Sequence, residues 1–165
     1  LFSERLYLTY SRNYGMPVCV ARYHNIFGPE GTWNGGREKA PAAICRKVAY
    51  LPEHGGDIEV WGDGEQTRSF LHVEECVDAT FKLMQSDFQE PINIGSEEMV
   101  TINQLVDVTA KVAGKKINKN HVEGPLGVRG RNSNNDLIRE KLGWDYKMTL
   151  EEGIKRTYEW VSSQI

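Results

Sequence analysis

Helix-period and strand-period segments alternate along the 165 residues, and this alternation predicts an α/β layered fold with partly parallel strands. Three observations carry the prediction. Short β-branched runs are bounded by Gly and Pro, amphipathic stretches separate them, and two capping boxes, Thr101 with Gln104 and Thr149 with Glu152, stand in front of apolar periodicity. An apolar share of 39% is ordinary for a globular chain and supplies a core, while a formal charge of -3 argues against holding nucleic acid or anionic lipid over a whole face.

Residues 1–13 read as the middle and end of a helix, with Leu1, Leu6, Leu8 and Tyr10 as apolar surface and Gly15 as the stop. The chain opens without Met, basic n-region or signal core, so it is expected to be cut from something longer. Residues 18–21 form a buried strand that opens into a loop around residues 23–25. A long glycine-rich loop through Gly28, Gly31, Gly35 and Gly36 then leads into a helix near Pro41, carrying Ala42, Ala43, Ile44 and Val48. Residues 58–61 and 67–73 alternate on either side of the turn Gly62-Asp63-Gly64 and predict two strands of a hairpin. A helix over 74–85, a strand over 91–94, helices opened by Thr101 and Thr149, a strand over 116–122 and a short helix over 136–142 ended by Gly143 complete the order. No strand runs into a Gly-x-Gly-x-x-Gly turn, so a dinucleotide fingerprint is lacking.

Cys19, Cys45 and Cys76 have no paired spacing, which fits neither zinc nor a disulfide framework and points to a reducing, cytoplasmic setting. His24, His54, His72 and His121 are scattered, so no metal site is expected. Trp33, Trp61, Trp144 and Trp160 are expected in the core or in pocket walls.

Three segments could carry chemistry. Arg37-Glu38-Lys39 precedes a helix N-terminus, where backbone N–H groups and the helix dipole attract anions, and neighbouring cations lower a lysine's pKa towards a value useful for proton transfer. Gln66 and Arg68 follow the Gly-Asp-Gly turn, and the arginine's planar fork matches phosphate oxygens. Arg129 and Arg131 flank Gly130 in a predicted loop that could neutralise a diphosphate. From spacing alone, each is also readable as a solvated charged surface.

Together, the segments resemble the C-terminal half of the extended short-chain dehydrogenase/reductase family of NAD-dependent nucleotide-sugar epimerases and dehydratases. The residues are Ala21-Arg22-Tyr23-His24-Asn25-Ile26-Phe27-Gly28-Pro29, the run from Gly31 to Ala43, the run from Trp61 to Phe70, Asn93-Ile94-Gly95-Ser96 and the run from Gly127 to Ser133. Asn25-x-x-Gly28-Pro29 and Gly62-Asp63-Gly64 are common across the family. The run Gly35-Gly36-Arg37-Glu38-Lys39-Ala40-Pro41-Ala42-Ala43 is particular to the branch that epimerises GDP-mannose at C3 and C5.

The resemblance implies a Rossmann-like fold whose N-terminal NAD-binding strands, catalytic Tyr and Lys and acid/base Cys all lie upstream of Leu1, leaving residues 1–165 as one substrate-binding unit that includes a few elements of the Rossmann sheet and is inactive alone. None of the three cysteines matches the family cysteine's context. Lys39 matches its catalytic lysine partner. Asn25, Glu38, Lys39, Ala40, Lys47, Gln66, Thr67, Arg68 and Arg131 match substrate contacts, and His24 falls where the family approaches NAD. Ser69 stands where many relatives outside this branch carry Asp. The opening helix implies a homodimer, and unpaired strand edges point the same way. Two alternatives stay open: another NDP-sugar 4-epimerase, 4,6-dehydratase or decarboxylase, and a non-catalytic nucleotide-sugar-binding module.

Overall fold

The computed structural model describes residues 2–124 and 127–165; Leu1, expected in the opening helix, lies outside the described residues. The helices are α1 (Phe2–Tyr14), α2 (Ala40–Ala49), α3 (Val73–Gln85), α4 (Ile102–Ala113), α5 (Asp136–Leu142) and α6 (Leu150–Ser162). The strands are β1 (Val20–Tyr23), β2 (Ile26–Phe27), β3 (Gly55–Trp61), β4 (Thr67–Ser69), β5 (Leu71–His72), β6 (Pro91–Ile94), β7 (Met99–Thr101), β8 (Lys116–Val122) and β9 (Gly130–Arg131). Both expected capping boxes form, so α4 and α6 start where the sequence places them. Gly114 and Gly143 end α4 and α5 in the left-handed conformation that glycine adopts without steric cost.

Pairing is largely parallel: β1 with β6, β2 with β5 and β3 with β8. The exception is β4, antiparallel to β7 and parallel to β9. Two apolar clusters support these strands. The first joins Ile44, Cys45 and Val48 of α2 to Ile58 and Val60 of β3, Leu105 and Val106 of α4, and Leu150, Ile154 and Val161 of α6. The second joins Cys76, Ala79 and Leu83 of α3 to Leu71, Ile92, Ile94, Ile138 and Trp144. Among the described residues no helix is long and apolar enough to cross a membrane.

The structure corrects several expectations. The predicted hairpin does not form, because β3 takes β8 as its parallel partner, with Gly55 opposite Lys116, and β4 pairs with β7 and β9 instead. The single strand expected over 67–73 is two short strands in different sheets, separated at Phe70, whose ring is buried in the first cluster. The strand expected over 18–21 starts two residues later, since its register is set by the four residues of β6, not by the apolar run itself. The expected loop at 23–25 is interrupted at once by β2, after Asn25 turns the chain with φ of 45°. The tryptophans, by contrast, fall where expected: Trp144, 2% exposed, is buried in the second cluster, Trp33 and Trp160 pack against the first, and Trp61, 55% exposed, lines a cleft wall. Arg131, expected in a loop, is part of β9.

Candidate functional site

Two adjoining clefts open beside α2. The larger, about 400 Å³, is lined by Gly36, Glu38, Ala40, Ala43, Ile44, Arg46, Lys47, Glu59, Val60, Trp61, Gln66 and Ile102. The smaller, about 220 Å³, is lined by Asn25, Lys39, Ala40, Gln66, Arg68, Phe70, Ile102 and Gly127. Ala40, Gln66 and Ile102 belong to both, so a ligand running from one to the other passes over the first turn of α2 and the start of α4.

Helix α2 therefore presents its N-terminus, with unsatisfied N–H groups and a positive dipole end, to the junction of the clefts. Lys39 is its N-cap and makes no side-chain capping hydrogen bond; the residue's carbonyl accepts the Ala43 N–H at 2.9 Å. The Lys39 side chain is thus exposed on the smaller cleft while its backbone is fixed. The far end of α2 is held by Lys115, whose Nζ donates to the carbonyls of Val48 at 2.9 Å and Leu51 at 2.6 Å.

Arg68 reaches the same cleft from β4, and parallel register places Arg131 of β9 directly beside it. Cross-strand partners in register project to one face, so the two guanidinium-bearing residues make a paired cationic edge. The turn before them is bolted in place. Asn103 Nδ2 donates to the Asp63 carbonyl at 3.0 Å and to Glu65 Oε1 at 2.7 Å, and Arg129 Nη1 donates to Asp63 Oδ2 at 3.0 Å. The Glu65 N–H and then Arg129 hold the Asp63 carboxyl below its ordinary pKa. At Gly64, with φ of 70°, any side chain would collide with Asn103, which is why the turn needs glycine there.

Gln66 lies between the clefts with its Oε1 buried and unpartnered while its Nε2 donates to the Trp61 carbonyl at 3.4 Å. Asn25 donates from Nδ2 to the Ser69 carbonyl at 2.9 Å, joining the end of β1 to β4. Lys47 donates from Nζ to the Glu59 carbonyl at 2.7 Å. Glu38 accepts from Arg46 at 2.8 Å and from the Gly36 N–H at 2.7 Å; its own backbone N–H and then Arg46 keep its carboxyl below the usual range.

The structure thus brings Asn25, Lys39, Ala40, Gln66 and Arg68 onto one cleft and Glu38 and Lys47 onto its neighbour. Thr67 and Arg131 sit alongside in β4 and β9 without lining either. Arg37 is exposed and lines neither cleft, so of the Arg37-Glu38-Lys39 segment only Glu38 and Lys39 reach the site, and Glu59 adds a carboxylate that the sequence reading does not include. Arg129, expected to face a diphosphate, is paired with Asp63. His24 stands apart: its N–H continues the β1–β6 ladder to the Ile94 carbonyl, and its side chain packs against Gly95 at the carboxyl end of both strands. Sequence reasoning missed Arg46, Glu59 and Ile102. The outward alternation of β3 was the available signal for Glu59; Ile102 follows only from the β4–β7 pairing, which no local pattern announces.

Burial pushes the Cys45 thiol up to about 12 and raises that of Cys76, so neither supplies a thiolate near neutral pH. Among the described residues no group of three or more His, Cys, Asp or Glu side chains is arranged to hold a metal ion.

A model of the NAD dependent epimerase/dehydratase family matches residues 1–95. The chain is 50% identical over 165 residues to GDP-mannose 3,5-epimerase of Arabidopsis thaliana, covering 100% of this chain and 43% of that protein. It is 27% identical over 165 residues to UDP-glucuronate 4-epimerase of Thermodesulfobacterium geofontis, covering 99% and 49%. Among solved structures, UDP-glucose 4-epimerase of Thermotoga maritima with UDP-glucose matches with a TM-score of 0.89 at 29% identity, over 99% of this chain and 52% of that one. The chain spans about half the length of these relatives. It belongs to the NAD dependent epimerase/dehydratase family and shares, over nearly all its own length and about half that of the solved relative, the Rossmann-like fold of the extended short-chain dehydrogenases.

Proposed function

We propose that these 165 residues are the C-terminal, substrate-binding unit of a cytoplasmic, homodimeric nucleotide-sugar epimerase that inverts C3 and C5 of GDP-mannose, and that the unit alone is inactive. The observation that carries this reading is the placement of Lys39 and Arg68 on one cleft that shares Gln66 with a larger, apolar-floored neighbour. That arrangement suits a ligand with a reacting end, a doubly charged middle and a flat, hydrogen-bonding base. The 50% identity to the Arabidopsis GDP-mannose 3,5-epimerase supports the choice of sugar nucleotide.

Lys39 exchanges a proton with the sugar at Nζ, in the role of one half of an acid/base pair. Arg68 and Arg131 neutralise the diphosphate, and Asn25, Glu38, Ala40, Lys47 and Thr67 complete the contacts. The unpartnered Oε1 of Gln66 fits a ligand donor such as a ribose hydroxyl. NAD, held mainly by upstream residues and approached here by His24, would supply reversible hydride transfer at C4, the chemistry that transiently acidifies the protons on C3 and C5. His24 fits that place because it lies at the carboxyl end of parallel strands, where sheets of this kind receive ligands. Dimer formation is supported by α1, which buries no residue and exposes Phe2, Tyr7 and Tyr14.

Turnover of a substrate panel by the full-length protein tests the reading. GDP-mannose is expected to be converted, and the 165-residue chain to convert nothing. Conversion of UDP-glucose or UDP-glucuronate with GDP-mannose left untouched would replace it with a 4-epimerase.

A further inference from the structure

We infer that Arg46, on the second turn of α2, is a positioning residue that fixes Lys39 by latching the glycine-rich loop onto the helix; the role of Lys39 rests on the function proposed above. Gly35 and Gly36 take φ values of 95° and 84°, so the loop has many shapes open to it and its own backbone does not select one. Arg46 selects one. Its Nε donates to the Trp33 carbonyl at 3.2 Å and its Nη2 to Glu38 Oε1 at 2.8 Å, while Glu38 Oε2 accepts the Gly36 N–H at 2.7 Å. One planar guanidinium thereby spans both ends of the segment 33–38, which a lysine's point charge would not do. The two side chains are 23% and 8% exposed, against 69% and 48% for the surface pair Lys111–Glu151, so solvent competes little for the latch.

Lys39 is the next residue. Glu38 holds it on one side and the Ala43 N–H to Lys39 carbonyl bond of α2 on the other, leaving only its side-chain rotors free. Removing Arg46 lets the segment before Lys39 move while α2 stays packed through Ile44, Cys45 and Val48.

The test compares full-length Arg46→Met, Arg46→Lys and Glu38→Gln with the unsubstituted protein, reading solvent deuterium uptake at C3 and C5 of GDP-mannose together with amide exchange at Gly36. Arg46→Met is expected to lower kcat about 10- to 100-fold, the loss a misplacement of about 1 Å brings, with KM changed less than about threefold. Gly36 exchange is expected to accelerate while that of α4 and α6 stays unchanged. Arg46→Lys restores only part of kcat, and Glu38→Gln reports on the same latch should Arg46→Met not fold. A kcat within about twofold of the unsubstituted value once the Gly36 amide is freed, or Gly36 exchange unchanged in every variant, would overturn the inference. Should the unsubstituted protein leave GDP-mannose untouched while Gly36 is freed in the variants, the latch stands and the proposed reaction fails.

Discussion

Around the first core, α2, α4 and α6 each turn an apolar face inward, and the clefts open between α2, β3 and β4. Beside the second core, α3 buries Cys76, Ala79 and Leu83 but leaves Val77, Phe81 and Met84 between 58% and 69% exposed, and α1 buries nothing. Both regions have the same kinds of element. They differ in what covers the outer faces, so the first region closes on itself and can present a shaped cleft, while the second carries apolar surface in excess of its own packing. The first is the place to test chemistry and the second the place to test association.

The largest effects separate the two. Ile154→Ala, at a fully buried position of the first core, is expected to cost about 2 to 5 kcal/mol, whereas Met84→Ala on the open face of α3 stays within about 0.5 kcal/mol. Urea midpoints of the two variants measure this, and equal losses would erase the distinction. In sedimentation, Phe81→Ser is expected to weaken self-association and Ile44→Val to leave it unchanged; a chain that is monomeric before any substitution contradicts an association-prone second region.

Next in size is the cap of α6, whose Thr149 hydroxyl accepts the Glu152 N–H. Thr149→Ala is expected to cost about 1 kcal/mol in the same unfolding series.

Acid acts where the regions meet. His72 is buried, its Nδ1 accepts the Glu74 N–H at 3.4 Å to cap α3, and its ring packs on Phe27. Burial lowers its pKa, with Glu74 and Glu75 opposing and Arg156 adding to the shift. The unfolded chain therefore takes up a proton first, near the ordinary histidine value of about 6.5, and stability present above that pH declines as pH falls through it. His72→Asn, which can still cap but does not titrate, is expected to flatten the unfolding midpoint between pH 7 and 5; an unchanged slope would remove His72 as the cause. Smallest of all, Arg129→Gln is expected to leave the melting temperature unchanged, because its pair with Asp63 is solvent-exposed.

What the sequence made legible tracks how local each determinant is. Capping boxes at Thr101 and Thr149 and left-handed glycines at 114 and 143 act within four residues, and the helices they bound were found. Strand partners are chosen over long separations, so the pairing of β3 with β8 and the division of β4 from β5 were not legible, and a hairpin was expected in their place. The cleft was half legible. Lys39, Gln66 and Arg68 are marked by residue type beside a helix N-terminus and a tight turn. Arg46 carries no such local signal, because its partners, Trp33 and Glu38, are brought to it by a glycine loop whose path no periodicity encodes.

Deuterium uptake at C3 and C5 of GDP-mannose, followed in D2O with the full-length protein and with its Lys39→Met variant, tests the central claim most directly. The full-length protein is expected to label both positions, and the variant to lose labelling by about 100-fold or more, the scale of a general acid/base group. Equal labelling by the two proteins would contradict the placement of proton transfer at Lys39.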